Sequence, residues 1–134
     1  RVLGKLGAEK AWVVHGSDGL DELTTTGPST VAALENGTVK TFEVSPVEAG
    51  LPIAKAADLL GGDGAFNARA MTAMLSGEAS AFRDIVIFSA AAALIVADRA
   101  ADLKEAAAIA AAAIDSGKAS EALETMVRIT NEGS

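Results

Sequence analysis

The sequence predicts an α/β fold, with one buried strand, an acidic loop, a β-hairpin and four to five helices forming part of a larger mixed-sheet domain. Three observations carry this. Trp12-Val13-Val14, preceded by Ala11, is a short apolar run closed by His15-Gly16. Asn36-Gly37 separates two arms rich in Val and Thr. From residue 63 onward the chain is alanine-rich with helical punctuation. Three strands are too few to cover that much apolar helix surface, so further strands are expected upstream.

The chain opens Arg1-Val2-Leu3-Gly4-Lys5-Leu6-Gly7, which reads as the end of an amphipathic helix. There is no initiator Met or signal-peptide pattern, so a piece of a longer protein is expected. The uniform apolarity of residues 11–14 suits a strand buried on both faces. Between residues 16 and 29 the apolar periodicity stops and Gly, Ser, Asp and Thr dominate. Structureless stretches of that length are uncommon in compact domains, which makes this a functional loop candidate.

Residues 30–34 and 38–44 flank Glu35-Asn36-Gly37, a hairpin signal because Asn and Gly tolerate positive φ. In the second arm Val39, Thr41 and Glu43 alternate with Lys40, Phe42 and Val44, which leaves the facing and register open. Pro46 and Pro52 punctuate a connection over 45–52. Asp63 is a helix N-cap, with Ser76-Gly77 as the stop after residue 75. A second helix is predicted over 80–97. A third begins at Asp102, where Glu105 stands at capping-box spacing, and stops at Ser116-Gly117. A fourth covers 119–130. Their alanines favour helix and permit close approach, while Leu94, Ile95, Leu103, Ile109 and Ile114 supply packing knobs.

Composition removes several functions. The 134 residues, half of them hydrophobic and 22% charged, make one globular domain or part of one. A net charge of −7 opposes attraction to nucleic acid or an anionic membrane. The longest apolar run, residues 85–97, is too short for a membrane span, which takes roughly 20 residues, and reads as a buried helix. Without cysteine there is no thiolate chemistry or cysteine-held zinc, and the chain suits a reducing cytoplasm.

The candidate site is His15-Gly16-Ser17-Asp18-Gly19-Leu20-Asp21-Glu22-Leu23-Thr24. It follows a strand, where open α/β sheets place ligands. Asp21 and Glu22 are adjacent carboxylates in an irregular loop, and a hard cation such as Mg²⁺ takes one or two such ligands plus phosphates and waters. The same pair also suits a solvated surface. His15, the only histidine, has no partner acid or nucleophile in the sequence and reads as structural. Trp12 reads as core. Gly61-Gly62-Asp63-Gly64 lacks phosphate-loop spacing, and Asp63 would repel phosphate, so capping accounts for it. Lys5, Lys10, Lys40, Lys55 and Arg69 are scattered and form no basic patch.

The run Ala11-Trp12-Val13-Val14-His15-Gly16-Ser17-Asp18-Gly19-Leu20-Asp21-Glu22 resembles a segment of anthranilate phosphoribosyltransferases. The likeness continues, in family order, through Val44-Ser45-Pro46-Val47-Glu48-Ala49-Gly50-Leu51-Pro52, Gly61-Gly62-Asp63 with Asn67-Ala68, and Leu75-Ser76-Gly77-Glu78. Arg83-Asp84-Ile85-Val86 and Ala113-Ile114-Asp115-Ser116-Gly117-Lys118-Ala119 complete it.

This resemblance implies transfer of a 5-phosphoribosyl group from phosphoribosyl pyrophosphate to anthranilate, a step of tryptophan biosynthesis, by a cytoplasmic homodimer. It implies a small helical domain and a larger α/β domain, with residues 1–134 as the C-terminal part of the latter. Asp21 and Glu22 match the family's Mg²⁺ ligands, Glu22 serving two ions and Asp21 one, which makes 16–29 a metal-binding loop. Asp18 belongs to the motif as a loop-shaping residue. The family's glycine-rich diphosphate loop, its Lys-His-Gly-Asn-like segment and its anthranilate-contacting Arg have no counterpart in these residues, so the chain alone is expected to be inactive. Phe88-Ser89 stands where Leu-Asn is usual. A pyrimidine nucleoside phosphorylase of related fold, or a non-catalytic relative binding nucleic acid, are the alternatives; the acidic pair and the net charge oppose them.

Overall fold

The protein is described here over residues 1–132 by a computed structural model. A single helical turn, α1 (Val2–Lys5), leads into strands β1 (Lys10–Gly16), β2 (Ser29–Glu35) and β3 (Thr38–Val44). Four longer helices follow: α2 (Gly64–Leu75), α3 (Ala81–Val96), α4 (Leu103–Asp115) and α5 (Lys118–Asn131). Short 3-10 turns at Pro46–Ala49 and Ala56–Leu59 carry the chain from sheet to helices.

The sheet runs β1-β2-β3, and both pairings are antiparallel. The mixed sheet expected from the sequence is thus not seen among the described residues. β1 reaches β2 through a loop with no crossover helix, whereas parallel strands are usually joined through one. β1 is also longer than residues 11–14, because its pairing runs from Lys10↔Glu35 to Gly16↔Ser29. Lys10 reaches both the cross-strand Glu35 carboxylate, at 3.3 Å, and the Asp98 carboxylate beyond α3. At the hairpin, Asn36 and Gly37 have φ of 49° and 73°, the pair of left-handed residues that a two-residue turn between right-twisted strands requires.

Register settles which face is which. Trp12 and Val14 share a face with Ala33, Val31, Lys40 and Phe42, and the Trp12 and Phe42 rings meet edge to face at 5.5 Å. The β1 part of this face lies against α3, while Lys40 and Phe42 of β3 stay exposed. Ala11, Val13 and His15 point the other way, where Val13 is 59% exposed. The double burial expected of β1 is therefore a correction: no helix among the described residues covers that face beyond α1, whose Gly4 lies against Leu34.

The caps fall where the side chains direct them. Asp63 accepts from Phe66 N–H, Ser80 from Arg83 N–H and Asp102 from Glu105 N–H, each satisfying an otherwise orphaned donor of a first turn. Glu105 in turn accepts from Ala101 N–H, one residue ahead of the cap. Phe88, Ala91 and Ala106 are fully buried where α3 packs on α4, and Val31, Val44, Leu23 and Met74 join the same core. The alanines let the two helices come close, and Phe88 is buried in the core they share with Val31 and Val44 of the sheet. Arg83 clips the start of α3 to Asp115 at the end of α4, at 2.6 Å. No helix among the described residues is long and apolar enough to cross a membrane.

Candidate functional site

Gly16 closes β1 and opens the loop. A Cβ there would lie 2.6 Å from Asp18 Oδ1 and 3.0 Å from Thr24 Cβ, so only glycine lets the loop fold back on the strand. Gly19, at φ 94°, completes the reversal, with its N–H donating to Gly16 O and Gly16 N–H donating to Leu20 O.

Asp18 then draws the loop into a ring. Its carboxylate accepts from Thr24 Oγ1 at 2.6 Å, Thr26 Oγ1 at 2.7 Å and Leu20 N–H at 3.2 Å. The Thr24 hydrogen bond leads in holding the Asp18 carboxyl below its ordinary value, against a smaller opposing effect of burial. Asp18 is therefore occupied in shaping the loop, as the motif suggested. On the far side Leu23, Thr24 and Thr25 are fully buried, and Thr24 N–H donates to Ser29 Oγ inside the protein.

Asp21 and Glu22 sit on the arch between these two anchors, and both are exposed. Neither is paired with a Lys or Arg among the described residues. Glu22 Oε2 accepts from Ser89 Oγ of α3 at 3.5 Å. Beside Glu22 lies a cavity of about 350 Å³ with an apolar wall of Leu20, Leu59, Phe82, Ile85 and Val86.

Among the described residues no three His, Cys, Asp or Glu side chains gather as a metal-binding group. The metal-binding loop expected from the sequence is thus no preassembled cage. A cage needs converging ligands, and here the third carboxylate, Asp18, is consumed by two threonines. Two exposed carboxylates still fit Mg²⁺, which keeps several waters and completes its shell with substrate phosphates. Asp21 and Glu22 are the residues that could hold it.

The remaining candidates take different places. His15 is exposed on the open face of the sheet, with no side-chain hydrogen bond among the described residues. Trp12 packs against the core. In the 61–64 segment Asn67 brackets Gly62, accepting from its N–H at 2.9 Å and donating to its carbonyl at 3.0 Å, so this turn serves the start of α2. Sequence reasoning did not find the threonine clamp, and it marked Ser89 only within Phe88-Ser89, where Leu-Asn is usual, without linking it to Glu22. The Thr24-Thr25-Thr26 run after the acidic pair was the one local signal for the clamp. Nothing local links Ser89 to Glu22, its partner 67 residues away.

Comparison with known proteins agrees with this architecture. An anthranilate phosphoribosyltransferase of Rhodospirillum rubrum is 59% identical over 128 residues, which make up 96% of this chain and 37% of that protein. The crystal structure of the Thermus thermophilus anthranilate phosphoribosyltransferase superposes with a TM-score of 0.83 at 35% identity, over 94% of this chain and 37% of that one. The Saccharomyces cerevisiae enzyme in complex with PRPP and Mg gives a TM-score of 0.77 at 27% identity, over 84% of this chain and 33% of that one. The chain thus spans little more than a third of the length of these relatives. The model of the glycosyl transferase family, a/b domain, matches residues 1–120, a stretch that takes in the strands, the acidic loop and helices α2 to α4. By that match the chain belongs to the glycosyl transferase family, of which it carries a/b-domain sequence.

Proposed function

We propose that this chain is the C-terminal part of the large α/β domain of an anthranilate phosphoribosyltransferase, a Mg²⁺-dependent cytoplasmic homodimer. The complete enzyme would transfer the 5-phosphoribosyl group of phosphoribosyl pyrophosphate to the amine of anthranilate, in tryptophan biosynthesis. The observation that carries this reading is 59% identity to a protein of that name over 96% of the chain. Among the described residues β1 has no strand on its outer edge and Val13 is uncovered, which supports a larger, mixed sheet continuing beyond β1.

The site chemistry accords with the reaction. Asp21 and Glu22 would hold Mg²⁺, which when bound neutralises charge on a departing pyrophosphate. Asp18, Thr24 and Thr26 keep the arch closed, which fixes the backbone from which the two carboxylates project. Anthranilate is an aromatic amine and already a nucleophile, so the transfer requires no strong side-chain base.

The test is an assay of the full-length protein with phosphoribosyl pyrophosphate, anthranilate and Mg²⁺, following phosphoribosylanthranilate by fluorescence. Formation of that product only with Mg²⁺ present is expected. Phosphorolysis of pyrimidine nucleosides, without that product, would return the phosphorylase alternative. The 134-residue chain by itself should show no transfer, since positioning both substrates supplies much of such a barrier.

A further inference from the structure

We infer that Ser89 is a positioning residue for the Glu22 carboxylate, so that helix α3 helps set the cation site of the acidic loop. This rests on the reading above that Asp21 and Glu22 hold Mg²⁺. Ser89 Oγ donates to Glu22 Oε2 at 3.5 Å. Among the described residues it makes the one side-chain hydrogen bond to either member of the pair.

Three features suit Ser89 to that task. The first is its place on the helix. Phe82, Ile85, Val86 and Ser89 follow the spacing of one helical stripe, and the first three wall the cavity beside Glu22. Ser89 is the polar end of an otherwise apolar stripe. The second is rigidity. Its neighbours Ile87, Phe88 and Ala91 are buried in the core, so the hydroxyl stands on a fixed platform while Glu22 stands on a loop. The third is chemistry. A hydroxyl donates one hydrogen bond and carries no charge, so it orients the carboxylate without competing with a cation, as Lys or Arg in its place would.

A free glutamate side chain populates many rotamers, and ordering it on binding weakens affinity. A donor that restrains one oxygen removes part of that cost beforehand and leaves the other oxygen for the ion. At 3.5 Å the contact is longer than an ordinary O–H···O bond of about 2.5–3.0 Å, so Ser89 biases the side chain rather than locking it.

The test uses the full-length protein with Mn²⁺ in place of Mg²⁺ and pyrophosphate present, free Mn²⁺ being read by electron paramagnetic resonance. Ser89→Ala should weaken Mn²⁺ binding by about 10-fold, the low end for loss of a residue that orients a metal ligand. Ser89→Asn, whose amide also donates, should restore most of it. Melting temperature and anthranilate affinity should be unchanged in both. Glu22→Gln serves as the control and should weaken binding further still. If Glu22→Gln loses affinity while Ser89→Ala keeps it, the Ser89 assignment is wrong and the metal reading stands. A loss in Ser89→Ala that Ser89→Asn does not repair, or that comes with a lowered melting temperature, overturns the assignment in favour of a packing role. If Glu22→Gln binds Mn²⁺ normally, both readings fall.

Discussion

Thr24 donates from a buried hydroxyl to the Asp18 carboxylate at 2.6 Å, and this contact closes the acidic loop at its base. Thr24→Val keeps the shape, removes the donor and should lower the melting temperature at pH 7. A carboxyl held below its ordinary value of 3.8 in the folded state adds stability at pH above 3.8. That contribution disappears as pH falls through the lowered folded value. The gap between wild type and Thr24→Val should therefore be largest near neutrality and close progressively below pH 3.8. Melts across pH 2.5–7 check this, and a gap constant over that range would remove Asp18 as the cause.

Thr25 is the contrasting neighbour. Its Oγ1 is buried with no hydrogen-bond partner among the described residues. An unsatisfied buried hydroxyl costs about 1–3 kcal/mol, and replacing it with a methyl of the same shape relieves that cost. Thr25→Val should thus be neutral or stabilising by up to about 1 kcal/mol, whereas Thr24→Val destabilises. Urea unfolding of the two variants side by side measures the difference. Clear destabilisation by Thr25→Val would mean that the hydroxyl does have a partner.

Phe88 is fully buried where α3 meets the sheet and α4. Phe88→Ala should cost about 3–5 kcal/mol, from lost burial plus the cavity left behind. Phe88→Leu keeps most of the volume and should cost well under half of that. The readout is the denaturant midpoint at unchanged slope. A small effect of Phe88→Ala would show that the helices close over the gap.

Asp21 and Glu22 are exposed, so neutralising either should leave the melting temperature alone. In the full-length protein, Glu22→Gln should lower the rate with phosphoribosyl pyrophosphate by about 10²–10³, the scale for groups that stabilise developing charge. Asp21→Asn should be milder, and anthranilate binding should be spared. Raised Mg²⁺ should partly rescue each variant if affinity is what was lost. Steady-state kinetics across a Mg²⁺ titration decide it, and near-normal kinetics in both would make the pair a solvated surface feature.

The reach of the sequence follows the reach of the interactions. Asp63, Ser80 and Asp102 cap helices by bonding three residues ahead, and Asn36-Gly37 turns the hairpin through its own backbone preferences. Such contacts close within one turn of chain, so the residues dictate them locally. The contiguous acidic motif likewise marked the loop and the two carboxylates on it. Tertiary structure alone decided the rest. It left one face of β1 open, set the β2–β3 register that the alternation in the second arm left ambiguous, and ran every pairing antiparallel. It also sorted three similar acids, turning Asp18 onto two threonines, leaving Asp21 free and bringing Ser89 to Glu22. A carboxylate's availability depends on what else reaches it, and those partners come from residues that only the fold makes neighbours.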